Sequence, residues 1–237
     1  MGQSYFIRNG RDCRSMGIIM KAPVPLIRPE ERVQHVEIPG VSGDMTETEG
    51  PHVYNSYIHT VSISVRGGIR VREVYKWLRG SGYVTFSSEP DRRQKARVIG
   101  AITLNRISRN LDNWAGEVQF YCQPLKELLN EQIMTITSTA SVVPNLGDVA
   151  CRPRILATAS DTTMTLSANA KVLEITGLTS GNSYIIDSEI MDVLTADETS
   201  ILTANSEGEF PELDVGDNII GGSGWSSLRI ERRERFL

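Results

Sequence analysis

The chain has 237 residues and a mass of 26.3 kDa, enough for one large or two ordinary domains, since domains most often run to roughly 100–150 residues. With 40% hydrophobic and 23% charged residues, 20 Gly and 10 Pro, the composition excludes disordered, collagen-like and disulfide-scaffold chains. Net charge is −4 but unevenly spread: residues 1–130 hold 18 Lys and Arg against 13 Asp and Glu, a balance of +5, while residues 131–237 hold 7 against 16, a balance of −9. That asymmetry predicts two domains whose faces meet different partners.

The opening, Met1 to Gly10, lacks a charged region followed by an apolar one, and no stretch approaches about 18 apolar residues, so neither a secretory signal nor a membrane span is expected. Val61, Ile63 and Val65 alternate with polar residues, the period of a strand with one buried face. Val71, Val74, Tyr75 and Leu78 fall at helical spacing with Arg70, Arg72, Lys76 and Arg79 opposite them, and Gly80 follows as a stop. Alternation resumes from Ala96 through Val98, Gly100, Ile102 and Leu104, and continues after a polar stretch as Trp114, Gly116, Val118, Phe120 and Cys122. This predicts a long hairpin with one buried face. Pro124 suits the first position of a short second helix bearing Leu125, Leu128 and Leu129. The uncharged run Gln132 to Gly147 reads as a connection into a second domain. Beyond it, short apolar runs at Met164–Leu166, Val172–Ile175, Tyr184–Ile186, Ile219–Ile220 and Leu228–Ile230 are separated by turn signals at the spacing of a β-sandwich. The fold class is therefore mainly β: an N-terminal β-sandwich-like domain over residues 1–132, with one α-helix and a long hairpin, then a C-terminal β-sandwich over residues 133–237.

Catalytic patterns are missing. The pairs Gly67, Gly68 and Gly221, Gly222 lead into no Lys-Ser/Thr, and Gly177 to Gly181 puts Thr179 where a nucleophile elbow needs Ser. Asp187 and Glu189, on one face of a strand, would stand about 6.6 Å apart, near the separation of a glycosidase pair. Nothing in the neighbouring sequence would split their pKa values, so a strand end or turn is the simpler reading. Glu212, Asp214, Asp217 and Asn218 lack calcium-loop spacing. His35, His52 and His59 share no ligand spacing, and Cys13, Cys122 and Cys151 form neither a C-x-x-C nor an even set. No metal, cofactor or disulfide is expected, and odd, scattered cysteines fit synthesis in a reducing compartment. Arg92, Arg93, Lys95 and Arg97 form the densest basic run. With no aromatic residue interleaved among them, they read as a charged loop and the wet face of a strand rather than a nucleic-acid site. The ending from Arg229 reads as Leu228 and Ile230 inward, charges outward.

The landmarks taken in order carry a resemblance. Phe6-Ile-Arg-Asn9-Gly10 with Met16-Gly17-Ile18 and Ile38-Pro39-Gly40-Val41-Ser42-Gly43 comes first. Then follow Asn145-Leu-Gly-Asp148 with Pro153, Ile186-Asp187-Ser188-Glu189, and Gly208-Glu-Phe-Pro211-Glu-Leu213 with Gly216-Asp-Asn218. The set resembles the phage distal tail protein family, found at the tail tip of long, flexible-tailed phages, with Leu146 departing from that family's usual Pro. The resemblance implies a non-enzymatic structural virion component without cofactors, assembled in the host bacterial cytoplasm and placed at the virion tail tip. It further implies a ring-forming hairpin, an outward-facing galectin-like C-terminal β-sandwich, and a homohexameric ring whose channel passes phage DNA. The implied neighbours are the tail tube protein and a tail-tip or baseplate protein, with no membrane partner. The alternative is a carbohydrate-binding adhesion module contacting the host cell wall. A glycosidase using Asp187 and Glu189 trails both. Because fold and site are separate matters, no binding to simple galactosides is expected. The C-terminal half has no His, and Trp225 is only a weak sugar-binding candidate.

Overall fold

A computed structural model describes residues 4–50, 52–66, 71–107 and 112–237 of the chain. Gly67, Gly68 and Arg70, used above, lie outside the described residues. Two compact units divide the chain, Met1–Leu129 with Leu237 and Asn130–Phe236.

The first unit carries strands β1 (Phe6–Arg8), β2 (Arg11–Asp12), β3 (Ile18–Met20), β4 (Val33–Glu37), β5 (Asp44–Thr48) and β6 (Tyr57–Val65), helix α1 (Val71–Leu78), and strands β7 (Ser81–Phe86), β8 (Arg92–Ile99), β9 (Leu104–Arg106) and β10 (Trp114–Leu128). The main sheet runs β2-β1-β7-β8-β10-β6-β3, antiparallel throughout, with β9 against the start of β10. The predicted alternation sets its buried face: Val61, Ile63 and Val65 pack with Ala96, Leu104, Val118, Phe120 and Cys122. Helix α1 closes that face with Val74 and Leu78. Phe6 stacks on Trp77 at 5.5 Å and meets the edge of Phe120 at 5.4 Å.

The landmark Arg8 explains how the helix ends. Its guanidinium donates to the carbonyls of Trp77, Arg79 and Gly80, satisfying acceptors that a helix C-terminus leaves open while placing a cation at the negative end of the dipole. Arg8→Met, similar in length without the donors, is expected to cost about 2 kcal/mol, with the loss of amide-exchange protection concentrated in residues 71–80. Protection falling evenly across the first unit would contradict that role.

The Pro124 helix does not form. β10 continues through it to Leu128, and its register against β8 shifts between Cys122 and Lys126. Pro124 sits in that irregularity, where a missing backbone N–H costs the ladder least.

The second unit is a sandwich of two five-stranded sheets. Its strands are β11 (Ile133–Ile136), β12 (Ser141–Asn145), β13 (Arg154–Ala159), β14 (Met164–Ala168), β15 (Lys171–Ile175), β16 (Ser183–Asp187), β17 (Asp192–Thr195), β18 (Ser206–Gly208), β19 (Gly216–Ser223) and β20 (Trp225–Glu231), with the two-residue strand β21 (Arg235–Phe236) outside both sheets. The sheet orders are β11-β20-β13-β16-β17 and β12-β19-β14-β15-β18. Ile155, Ala157, Ile186, Leu228 and Ile230 of one sheet face Val143, Leu166, Leu173, Ile175 and Ile220 of the other. The uncharged run from Gln132 is thus already strand, β11 and β12, rather than a connection. Its four- and five-residue strands are too short to display a period.

Candidate functional site

Among the described residues, β4 and β5 pair only with each other. Every residue from Gln34 to Glu49 is exposed, yet a two-stranded hairpin alone is only marginally stable in water. The register sets Val36 opposite Met45, so both lie on one face, and the turn adds Ile38 and Val41. These four side chains remain 43–61% exposed with no core beneath them. Gly40 and Gly43 take φ of 83° and 93° in the turn, which glycine adopts without steric cost. At the base, the Arg32 amide donates to the Val53 carbonyl at 2.9 Å, and the Arg32 guanidinium lies 3.4 Å from Glu49. His35 and Asp44 pair at 2.7 Å, but both are about half exposed, so the contact adds little. The hairpin is thus anchored at its base and leaves four apolar side chains bare. Sequence reasoning passed over it because Val33 to Thr48 is mostly polar; its one visible signal was the turn Ile38 to Gly43.

The residues singled out for chemistry are placed otherwise. Trp225 is 8% exposed and belongs to the sandwich core, so it offers no platform for a sugar ring. Asp187 ends β16 and is buried, whereas Glu189 lies beyond the strand in an exposed turn. Arg233 donates to both Asp187 oxygens, at 2.7 and 2.9 Å, and reaches Glu189 at 3.3 Å. Burial works against the charge on Asp187, but the fork of Arg233 outweighs it and holds the carboxyl below its ordinary 3.8. That favours Asp187 as an anion rather than a general acid.

The charged ending also differs from expectation. Leu228 and Ile230 do point inward, but Arg232 and Glu234 are buried as well. Arg232 lies 3.1 Å from Glu234 and donates to the Pro144 carbonyl at 2.6 Å, while Glu234 accepts from the Leu146 amide at 2.9 Å. The landmark motifs are the other half of this network. Asn145 donates to the carbonyls of Val149 and Leu213 and accepts from Gly147. Asn218 donates to the carbonyls of Asp214 and Gly216 within the acidic turn. These motifs hold loops in place.

Burial pushes the thiols of Cys122 and Cys151 up to about 12, which leaves them poor nucleophiles. Among the described residues, no three His, Cys, Asp or Glu gather as a metal site. His59 is buried against Phe86, ring centroids 4.2 Å apart, with Nε2 unpartnered among the described residues. Burial, aided by the charge of Lys126, holds its pKa below 6.5. As pH falls below 6.5 the unfolded chain therefore takes up a proton that the folded chain refuses, and stability drops by at most about 1.4 kcal/mol per pH unit from this residue. His59→Phe is expected to flatten the first unit's urea midpoint between pH 7.5 and 5.5. An unchanged pH slope would remove His59 as its source.

By layers and connectivity the chain is a mainly β protein with a helix-bearing sheet unit followed by an antiparallel sandwich. No protein-family model matches the sequence, and no curated protein does. Among solved structures it is similar to the crystal structure of the SPP1 Dit (gp 19.1) protein, described as a paradigm of the hub adsorption apparatus in Gram-positive-infecting phages. The TM-score is 0.81 with 17% identity over 100% of both chains. The two proteins share a fold. No helix among the described residues is long and apolar enough to cross a membrane.

Proposed function

We propose that the chain is a phage distal tail protein, a non-enzymatic hub that joins the tail tube to the tip or baseplate protein and leaves a channel for DNA. The observation carrying this is the likeness to SPP1 Dit along the whole of both chains, at a TM-score of 0.81. The ordered landmarks from Phe6 to Asn218, whose side chains hold the two units' loops and helix end, support the same reading. So does the hairpin: a ring requires head-to-tail contacts that close, hence two different surfaces on each copy, and β4–β5 is a ready candidate for one of them. Six copies of 26.3 kDa would make a particle of about 158 kDa, each contact burying roughly 1,000 Å² or more.

Gold-labelled antibody against the chain, applied to phage particles, is expected to mark one end of the tail in electron micrographs. Label along the tube, or particles without label, would exclude a tip hub.

A further inference from the structure

We propose that the outward face of β7, β8 and β10 binds single-stranded nucleic acid without regard to sequence, holding phosphates on Lys95 and Arg97 and stacking a base on Tyr121. This binding goes beyond the hub role and does not depend on it.

The basic run on β8 has no aromatic residue within it, yet the sheet supplies two from the neighbouring strands. Register places Tyr83 of β7 opposite Lys95, and sets Arg97 between Ser81 of β7 and Tyr121 of β10. Both rings stand on the face away from the core, because the alternate residues Gln94, Ala96, Phe120 and Cys122 are buried. Arg93 is already engaged: its guanidinium lies 4.5 Å from the Tyr83 ring centre and pairs with Glu127 at 3.2 Å. Lys95 and Arg97 are exposed and have no ion pair among the described residues. Tyr121 is 41% exposed, and Ile58, its register partner on β6, is 52% exposed. Ser81, Tyr83, Lys95, Arg97, Tyr121 and Gln123 line an open concavity of about 580 Å³.

An antiparallel sheet that presents rings between cations lets unpaired bases stack while their phosphates are neutralised. Lys95 and Arg97, two apart on one strand, stand about 6.7 Å from each other, an interval that successive phosphates of an extended single strand can span. Tyr121, with Ile58 beside it, gives one base a flat apolar seat next to Arg97. Gln123 alone is placed to read a base edge, which is too little to select a sequence. A duplex hides its base faces inside its own stack, so it would use the cations but not the ring. An acidic glycan would need partners for its hydroxyls, and beside the cations and tyrosines the concavity offers only Ser81 and Gln123.

Fluorescence anisotropy of a labelled oligothymidylate about 15 nucleotides long, titrated with the full chain, tests this. Saturation is expected at roughly 0.1 mM chain or below in about 50 mM salt. Two neutralised phosphates predict that the logarithm of the affinity falls with the logarithm of salt at a slope of about −1.4. Tyr121→Ala should weaken binding at least about fivefold, whereas Tyr121→Phe, which keeps the ring, should bind as the parent does. Lys95→Gln with Arg97→Gln should flatten the salt dependence. These changes fall on exposed side chains, so the urea midpoint should stay with the parent's and a lost signal reports on the face itself. An abasic strand and a duplex of the same length should each bind at least about fivefold more weakly. No saturation by millimolar chain, equal binding of the abasic strand or the duplex, or a preference for polygalacturonate over oligothymidylate would overturn the assignment.

Discussion

Replacing residues 34–47 with Asn-Gly is expected to leave both units folded and to abolish the association of copies. The replacement closes β4 and β5 at the pair Val33 and Thr48 through the two-residue turn best matched to strand twist. The base survives, since the Arg32 amide and the bridge between Glu31 and Tyr54 lie outside the deletion. No residue between 34 and 47 belongs to the first unit's core. The urea midpoint should therefore move by no more than about 0.5 kcal/mol equivalent, the range of surface changes. Light scattering or sedimentation at high concentration should show the shortened chain as a monomer where the intact chain associates. If the shortened chain still forms rings, the hairpin is not the ring-closing surface. A large loss of stability would show instead that the hairpin supports its own unit, contrary to its exposure.

Arg233→Ala is expected to destabilise the sandwich by about 3 kcal/mol, because it leaves the Asp187 carboxylate buried and unpaired. Asp187 and Arg233 have side chains 10% and 17% exposed, so screening by solvent gives little relief. Arg154 stands 3.9 Å from Asp187 but is already committed to Glu198, and it cannot replace the two-pronged contact. Arg233→Lys keeps the charge without the fork and should fall between wild type and Ala. Glu189→Gln touches the exposed partner and should cost less than about 1 kcal/mol. The pH dependence has a definite sign. Asp187 titrates lower in the fold than in the unfolded chain, so its contribution is complete above pH 3.8 and disappears as pH drops below that through the folded value. The difference between wild type and Arg233→Ala should accordingly be full at pH 7 and shrink at pH 3. Unfolding followed at Trp225, with Trp77 and Trp114 replaced by Phe, reports on this unit alone. A difference independent of pH would mean that lost packing, not the ion pair, is responsible.

Much of the architecture can be read from residue order alone. Alternation in Val61–Val65 and from Ala96 to Cys122 identifies β6, β8 and β10 and their buried faces, because side chains on a strand alternate regardless of what the strand pairs with. The spacing of Val74 and Leu78 likewise marks the helix and its inward side. The mixed signals at Pro124 could not be resolved locally. Proline suits a first helical turn and an irregular strand equally, and only the neighbouring β8 selects the strand.

What the sequence by itself determined is the class of fold, the sign of charge in each half, and the poverty of catalytic groups. These depend on composition and on periods of two and nearly four residues, all local properties. Only the tertiary structure decided what the charged and aromatic residues do. Asp187 meets Arg233 across 46 positions, Trp225 enters a core, and Tyr83 and Tyr121 join Lys95 and Arg97 across three strands. Such meetings are set by sheet order and register, and a polar hairpin such as β4–β5 announces itself only when everything around it is seen to pack elsewhere.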